Sequence, residues 1–335
     1  MTRRSAQPMI PTGNLPTIEE KQEQQKPKTS ENPNPLATFF RKSKLNLTLP
    51  SHGKWYPSGS IIFDTTGSLP VYAMNANDDI KMRTGDATMS GKNVYEVVQS
   101  CVPNIIKPEL IPHIDIDAIL LAIRVASYGP KFDFIVQVPK TTLTRAIQVD
   151  ANKLLSDVST RKNMWDEEIT ITDEITGQSL YLVVHPVPMK NLFATSKNIY
   201  MLRKSLSKNL DQDENIKDES SFSTNMNSLA INAIDLLCSS IKVLQVNDPS
   251  GQIILALDSS SPQDEIQIKQ TIHQLDIEYF NSLREHIDNQ RQKYAFFSDE
   301  QISTPEEIKA GAPEKWIAEL TFMGSDFLPE TKSLT

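Results

Sequence analysis

The sequence predicts an α+β protein with a disordered N-terminal arm, a mixed helix and β-hairpin N-terminal domain, and a mainly helical C-terminal half containing one long helix. Three observations lead there. Six prolines fall within the first 35 residues, residues 45–188 mix period-two and helical apolar patterns, and residues 189–335 show mostly the helical one. The chain is therefore read as an extended or disordered arm (1–44), an α+β core domain (45–188) and a mainly helical C-terminal domain (189–335).

Composition bounds the function classes. At 335 residues, 39% apolar and 23% charged, this is an ordinary soluble chain of roughly two domains. A net charge of −8 and a pI near 5.3 argue against a general nucleic-acid binder, which needs a surplus of Lys and Arg on one face. Cys101 and Cys238 stand far apart, which excludes a disulfide framework and suits a reducing compartment. No apolar run reaches the ~18 residues of a membrane span, and the N-terminus lacks the apolar centre of a signal peptide. The expected setting is the cytoplasm or a particle assembled there, with no nucleic-acid and no membrane partner.

The arm carries eight Lys or Arg and four Glu on an otherwise acidic chain. Too polar to offset its ordering entropy, it is expected to stay unstructured or to become ordered on a partner. Next, Leu49-Pro50-Ser51-His52-Gly53 and Tyr56-Pro57-Ser58-Gly59 are two turn clusters bracketing aromatic residues. Ser60–Phe63 and Leu69–Met74 read as two short β runs joined at Thr66-Gly67. Met74 to Asp79 begins a polar turn or short helix leading to Arg83, and a helix follows over 91–101 whose Val94, Val97, Val98 and Cys101 form a core stripe. Cys101 is thus a buried apolar residue and not a nucleophile.

Pro103 and Pro108 end that helix, and Asp115 starts the next, Ile116–Ser127, with Ile119, Leu120, Ile123 and Ala126 buried. Arg124 within it is expected in a structural ion pair with Asp115, Asp117 or Asp78. Tyr128-Gly129-Pro130 closes the helix. Phe132, Phe134, Val136 and Val138 alternate as a strand, Arg145–Val149 is its hairpin partner, and Ala151–Val158 is a short helix. A second hairpin turns through Glu174-Ile175-Thr176-Gly177 between Glu168–Asp173 and Gln178–His185.

The remainder reads as helix over Asn191–Leu210, an acidic loop over 211–219, and an apolar helix over Asn227–Val246. Asn247 to Gly251 is a loop, and Ile253–Leu257 reads as a strand. Ser261 as N-cap and Pro262 at N1 open the longest element, expected to run some 30 residues to Tyr294. Its narrow seam, Ile268, Ile272, Leu275, Tyr279, Leu283 and Ile287, is of nearly coiled-coil width, and its first five residues mark the candidate partner contact. His273 and His286 lie off the seam among charges. Trp316–Phe322 alternates as a last strand, and the chain then passes Asp326-Phe327-Leu328.

No catalytic or metal constellation is legible. The five histidines occupy five separate segments, with no H-x-x-x-H, C-x-x-C, G-x-S-x-G or phosphate loop. The expectation is a protein with no catalytic residues, no cofactor and no metal.

Leu49-Pro-Ser-His-Gly-Lys-Trp-Tyr-Pro57, then Val71 to Asp79, Gln99-Ser-Cys-Val102 and Leu120 to Gly129 resemble the baseplate hub assembly proteins of T4-type contractile-tailed bacteriophages. The similarity covers about 85 residues from Leu45 to Gly129 and continues more weakly through Phe132 to Val138, Val184-His-Pro-Val-Pro188, the helix after Pro262 and Trp316–Phe327. Leu49, Pro50, Ser51, Gly53, Tyr56, Pro57, Arg124, Tyr128 and Gly129 carry the motif as structural residues. The resemblance implies a non-enzymatic hub component or assembly factor that contacts other baseplate proteins or itself, in the host cytoplasm during assembly or in the virion. Family members carry Cys-x-x-Cys pairs that suggest zinc, where this chain has Val138-Pro139-Lys140 and Phe297-Ser298-Asp299, so no metal is inferred. Two other classes stay open: an adaptor or scaffold unrelated to phage tails, and an enzyme whose site assembles only in three dimensions.

Overall fold

The computed structural model describes residues 41–84, 91–160, 164–210 and 219–322. The chain enters through strand β1 (Ser43–Leu47), which pairs antiparallel with β2 (Leu69–Tyr72). Helix α1 (Ala76–Arg83) starts at a reciprocal capping box between Asn75 and Asp78. Gly91, at φ +71° with Phe193 so close that a Cβ would meet its ring at 2.3 Å, opens α2 (Lys92–Cys101). A 3₁₀ turn at Pro108–Leu110 then leads to α3 (His113–Tyr128).

Apolar residues on nearly every side of α3 force it into the interior, and it packs against β1, β2 and α2. The hairpin β3 (Lys131–Gln137) and β4 (Thr144–Asp150) and helix α4 (Ala151–Ser159) follow as the sequence predicts, with Phe132, Phe134 and Val136 on the buried face.

Strands β5 (Glu168–Thr172) and β6 (Ser179–Val184) form the expected hairpin, turning at Gly177 with φ +67°. Helices α5 (Met189–Leu210) and α6 (Glu219–Cys238) intervene before β7 (Ile241–Asn247) and β8 (Ile253–Asp258) complete a four-stranded antiparallel sheet of order β5-β6-β7-β8. Next come α7 (Pro262–His273) and α8 (Ile277–Gln292). The described chain closes with short strands β9 (Phe296–Phe297) and β10 (Gln301–Ile302), helix α9 (Pro305–Lys309), and β11 (Lys315–Trp316) and β12 (Glu319–Leu320), paired β9 with β12 and β10 with β11.

The fold class needs correcting. Helices are spread through the described residues, and the C-terminal half is not mainly helical: six of the strands, β7 to β12, lie in it. The expected helix over 227–246 ends at Cys238, where Ser239 and Ser240 N–H groups cap the last carbonyls, and Ile241–Asn247 becomes a central strand. An apolar run looks alike in a buried helix and a buried strand, and here the β-branched Val243 and Val246 are paired on both edges and Ile241 on one. The long helix after Pro262 is two helices, because the Asp276 side chain accepts from Glu278 N at 3.0 Å and caps a fresh start. The predicted 60–74 hairpin is also absent: Asp64 binds the Thr66 and Ser68 amides in a tight turn, Ile61 bridges to Ile105, and β2 takes β1 as its partner.

Nor do the cores divide at residue 188. Phe296, Trp316, Leu320 and Phe322 return from the C-terminal end to the core built on α3, whereas β5 and β6 join the second core with β7, β8, α7 and α8. The arm boundary shifts too, since β1 begins at Ser43 and Arg41 pairs with buried Asp78 at 3.1 Å. Residues 1–40, the acidic stretch at 211–218 and Asp326-Phe327-Leu328 lie outside the described residues. Among the described residues no helix is long and apolar enough to cross a membrane.

Candidate partner-docking groove

The motif residues fall into two groups, one at each end of α3. Asp115, fully buried in the first turn of α3, accepts from Ser51 N at 2.8 Å and from Ser51 Oγ at 2.5 Å, and Ser51 Oγ in turn accepts from Gly53 N at 3.1 Å. Gly53 has φ +81°, and a Cβ there would lie 2.4 Å from the Phe63 ring, so the loop can close only on glycine. Leu49 is fully buried, Pro50 is buried beside it, Tyr56 packs on the same core, and the Pro57 carbonyl accepts from Ser60 N and Oγ. Burial pushes the Asp115 carboxyl up to about 6 against the Ser51 bonds that lower it.

The same loop reaches a third, small cluster of Ile114, Trp165 and Tyr294. Trp55 donates from Nε1 to Glu167 Oε1 at 2.9 Å, Lys54 pairs with Glu167 at 2.6 Å, and the Trp55 ring meets Trp165 edge to face at 6.0 Å. Trp165 donates to the Val184 carbonyl, its backbone N–H to the Tyr294 hydroxyl, and its ring contacts His113. This joint was not legible in sequence, because Trp55, His113, Trp165, His185 and Tyr294 come from five separate segments.

Arg124 corrects an expectation. It pairs with none of Asp115, Asp117 and Asp78; each of these is taken, by Ser51, by Phe322 N and by Arg41 with Ser100. Its buried guanidinium instead lies 4.1 Å over the Phe132 ring and 5.6 Å over Tyr128, and donates to the Gly129 carbonyl at 3.5 Å. Tyr128 donates its hydroxyl to Asp79, and Gly129, at φ +93°, closes the helix through N–H to Val125 O.

The candidate seam packs within the chain. Ile268, Ile272 and Leu283 are at most 2% exposed in the second core, Leu275 packs beside them, and Tyr279 donates to Asp173 Oδ2 at 2.7 Å. What stays open is an adjacent concavity of about 500 Å³ between α5, α6 and α8. Leu192, Ile234, Leu237, Phe280 and Ile287 form its apolar floor, and exposed Arg284, Asp288 and Arg291 its rim. The signal was present as a second stripe on α8, since Phe280, Arg284, Ile287 and Arg291 recur at helical spacing. Such a groove accepts the apolar face of a helix or extended segment.

No family model, curated protein or solved structure matches the chain. Among the described residues no group of three or more His, Cys, Asp or Glu is placed to hold a metal ion. Burial drives the Cys101 and Cys238 thiols up to about 12, so neither is a thiolate at neutral pH.

His113 lines one end of the groove. Burial, with Arg291 adding in the same direction, lowers its pKa from 6.5 to about 4. The unfolded chain therefore binds a proton between those values that the folded chain refuses, and stability falls as pH drops through that window. Equilibrium unfolding should lose about 2 kcal/mol from this group between pH 6.5 and 4, and His113→Gln should flatten that limb. An identical pH dependence in the variant would remove the histidine from the account.

Proposed function

We propose that the protein is a non-enzymatic component or assembly factor of the baseplate hub of a contractile phage tail, working in the host cytoplasm and through stoichiometric contacts with other hub proteins. The observation that carries the reading is how the motif is used. Ser51, Gly53 and Tyr56 hold one loop against the start of α3, Arg124 and Gly129 tie the end of α3 to β3, and Lys54 and Trp55 bind the loop to Glu167 and Trp165 just before β5. A motif of this kind preserves a shape, and the shape leaves an apolar groove with an arginine-bearing rim for a partner.

The test is co-expression with the tail proteins encoded by the same genome. A tagged chain should recover a hub protein at fixed stoichiometry, and Ala233→Arg, on the exposed wall of the groove, should cut that recovery at least tenfold with unfolding unchanged. Recovery of no tail protein favours an adaptor outside phage tails. Capture unaffected by Ala233→Arg places the contact elsewhere.

A further inference from the structure

The described chain ends beside the groove. Phe322 N–H donates to Asp117 Oδ1 at 2.8 Å, and Asp117 stands one turn of α3 beyond His113, a groove residue. Arg291, on the rim, reaches Glu319 Oε1 at 3.4 Å, and its charge acts on both His113 and Asp117. Glu319 thus stands at the groove's rim, and Phe322, three residues on, is buried in the α3 core close to His113's end of the groove.

Thirteen residues follow, Met323–Thr335. They include Asp326-Phe327-Leu328-Pro329-Glu330, an apolar pair flanked by carboxylates. At about 3.3 Å per residue, the five steps from Phe322 give Phe327 a reach of roughly 16 Å, enough to return to a groove whose rim Glu319 touches. The groove supplies the complement: an apolar floor, and Arg284, exposed and in no ion pair among the described residues.

We infer that the groove's resting occupant is the chain's own C-terminal segment, with Phe327 and Leu328 on the floor and a flanking carboxylate facing Arg284. This rests on the groove being a docking surface, and it makes a partner's binding a displacement. Two side chains bind weakly between molecules, but a short tether supplies an effective concentration in the millimolar range, so the contact forms within one chain. The helix that a partner would contribute has to outcompete it.

The experiment needs no hub protein. Hydrogen exchange is followed by mass spectrometry in the full-length chain and in full-length Phe327→Asp/Leu328→Asp. Amides of 230–237 and 280–291 should exchange three- to tenfold faster in the variant, with those of β6 and β7 unchanged. A synthetic peptide of Met323–Thr335, added to the variant at millimolar concentration, should restore protection, and the peptide with both substitutions should not. Arg284→Glu should reproduce part of the acceleration. Unchanged exchange in the double variant overturns the inference. So does a wild type that is dimeric by light scattering and a variant that is monomeric, which would make the occupant a second copy. Because no phage protein enters any arm, failure here leaves the hub reading standing, and failure of the hub reading leaves this result untouched.

Discussion

Replacing Phe322 with alanine should lower the unfolding free energy by about 3 to 5 kcal/mol, read from the urea midpoint by circular dichroism. Phe322 is fully buried, and its ring meets Phe134 at 5.5 Å, Phe296 at 5.8 Å and Phe132 at 6.3 Å. The truncation removes three edge contacts and leaves a void that β3 and β9 cannot both close. Phe297, the neighbour of Phe296 and 41% exposed, is the control: Phe297→Ala should cost less than about 1 kcal/mol. A loss below 1 kcal/mol for Phe322→Ala would mean that the C-terminal strands lie on the α3 core without contributing to it.

Asp115→Ala should cost a comparable amount, about 3 to 5 kcal/mol, because it strands the buried Ser51 N–H and hydroxyl and opens a cavity under the motif loop. Asp115→Asn keeps the shape and one acceptor, and should cost clearly less. The pair also has a pH signature. The folded carboxyl titrates near 6 and the unfolded one near 3.8, so the folded state holds the proton more tightly. Its stabilising contribution is complete at low pH and is lost as pH rises from about 4 through 6. Asp115→Asn should therefore narrow its deficit against the wild type as pH increases through that range, measured in matched urea titrations. A deficit that widens instead would show that the charged carboxylate is the favoured partner of Ser51. Asp117, also pushed up to about 6, titrates in the same window and is present in both proteins, so it cancels in the comparison.

Local elements were determined by the sequence where one physical rule acts alone. The apolar stripe of 94–101, the buried Ile119, Leu120, Ile123 and Ala126 of α3, the alternation of β3 and the Thr-Gly turn between β5 and β6 each need only periodicity or a positive φ, and each is present as read. The start of α7 at Ser261-Pro262 was equally legible, because a cap is a contact between near neighbours in the chain.

Tertiary structure decided whatever required a choice of distant partner. Whether 241–247 is helix or strand depends on β6 and β8 standing on either side of it, since its apolar run satisfies both patterns. β2 pairs with β1 and not with the residues just before it, because Asp64 folds those into a turn. Arg124 lies on Phe132, because every carboxylate within its expected reach is already hydrogen-bonded to something brought from elsewhere in the chain. The seam of Ile268, Ile272 and Leu283 was visible as apolar, but periodicity reports only that a face is covered, never by what; here the chain's own sheet covers it, and the open surface moved to the next face of α8.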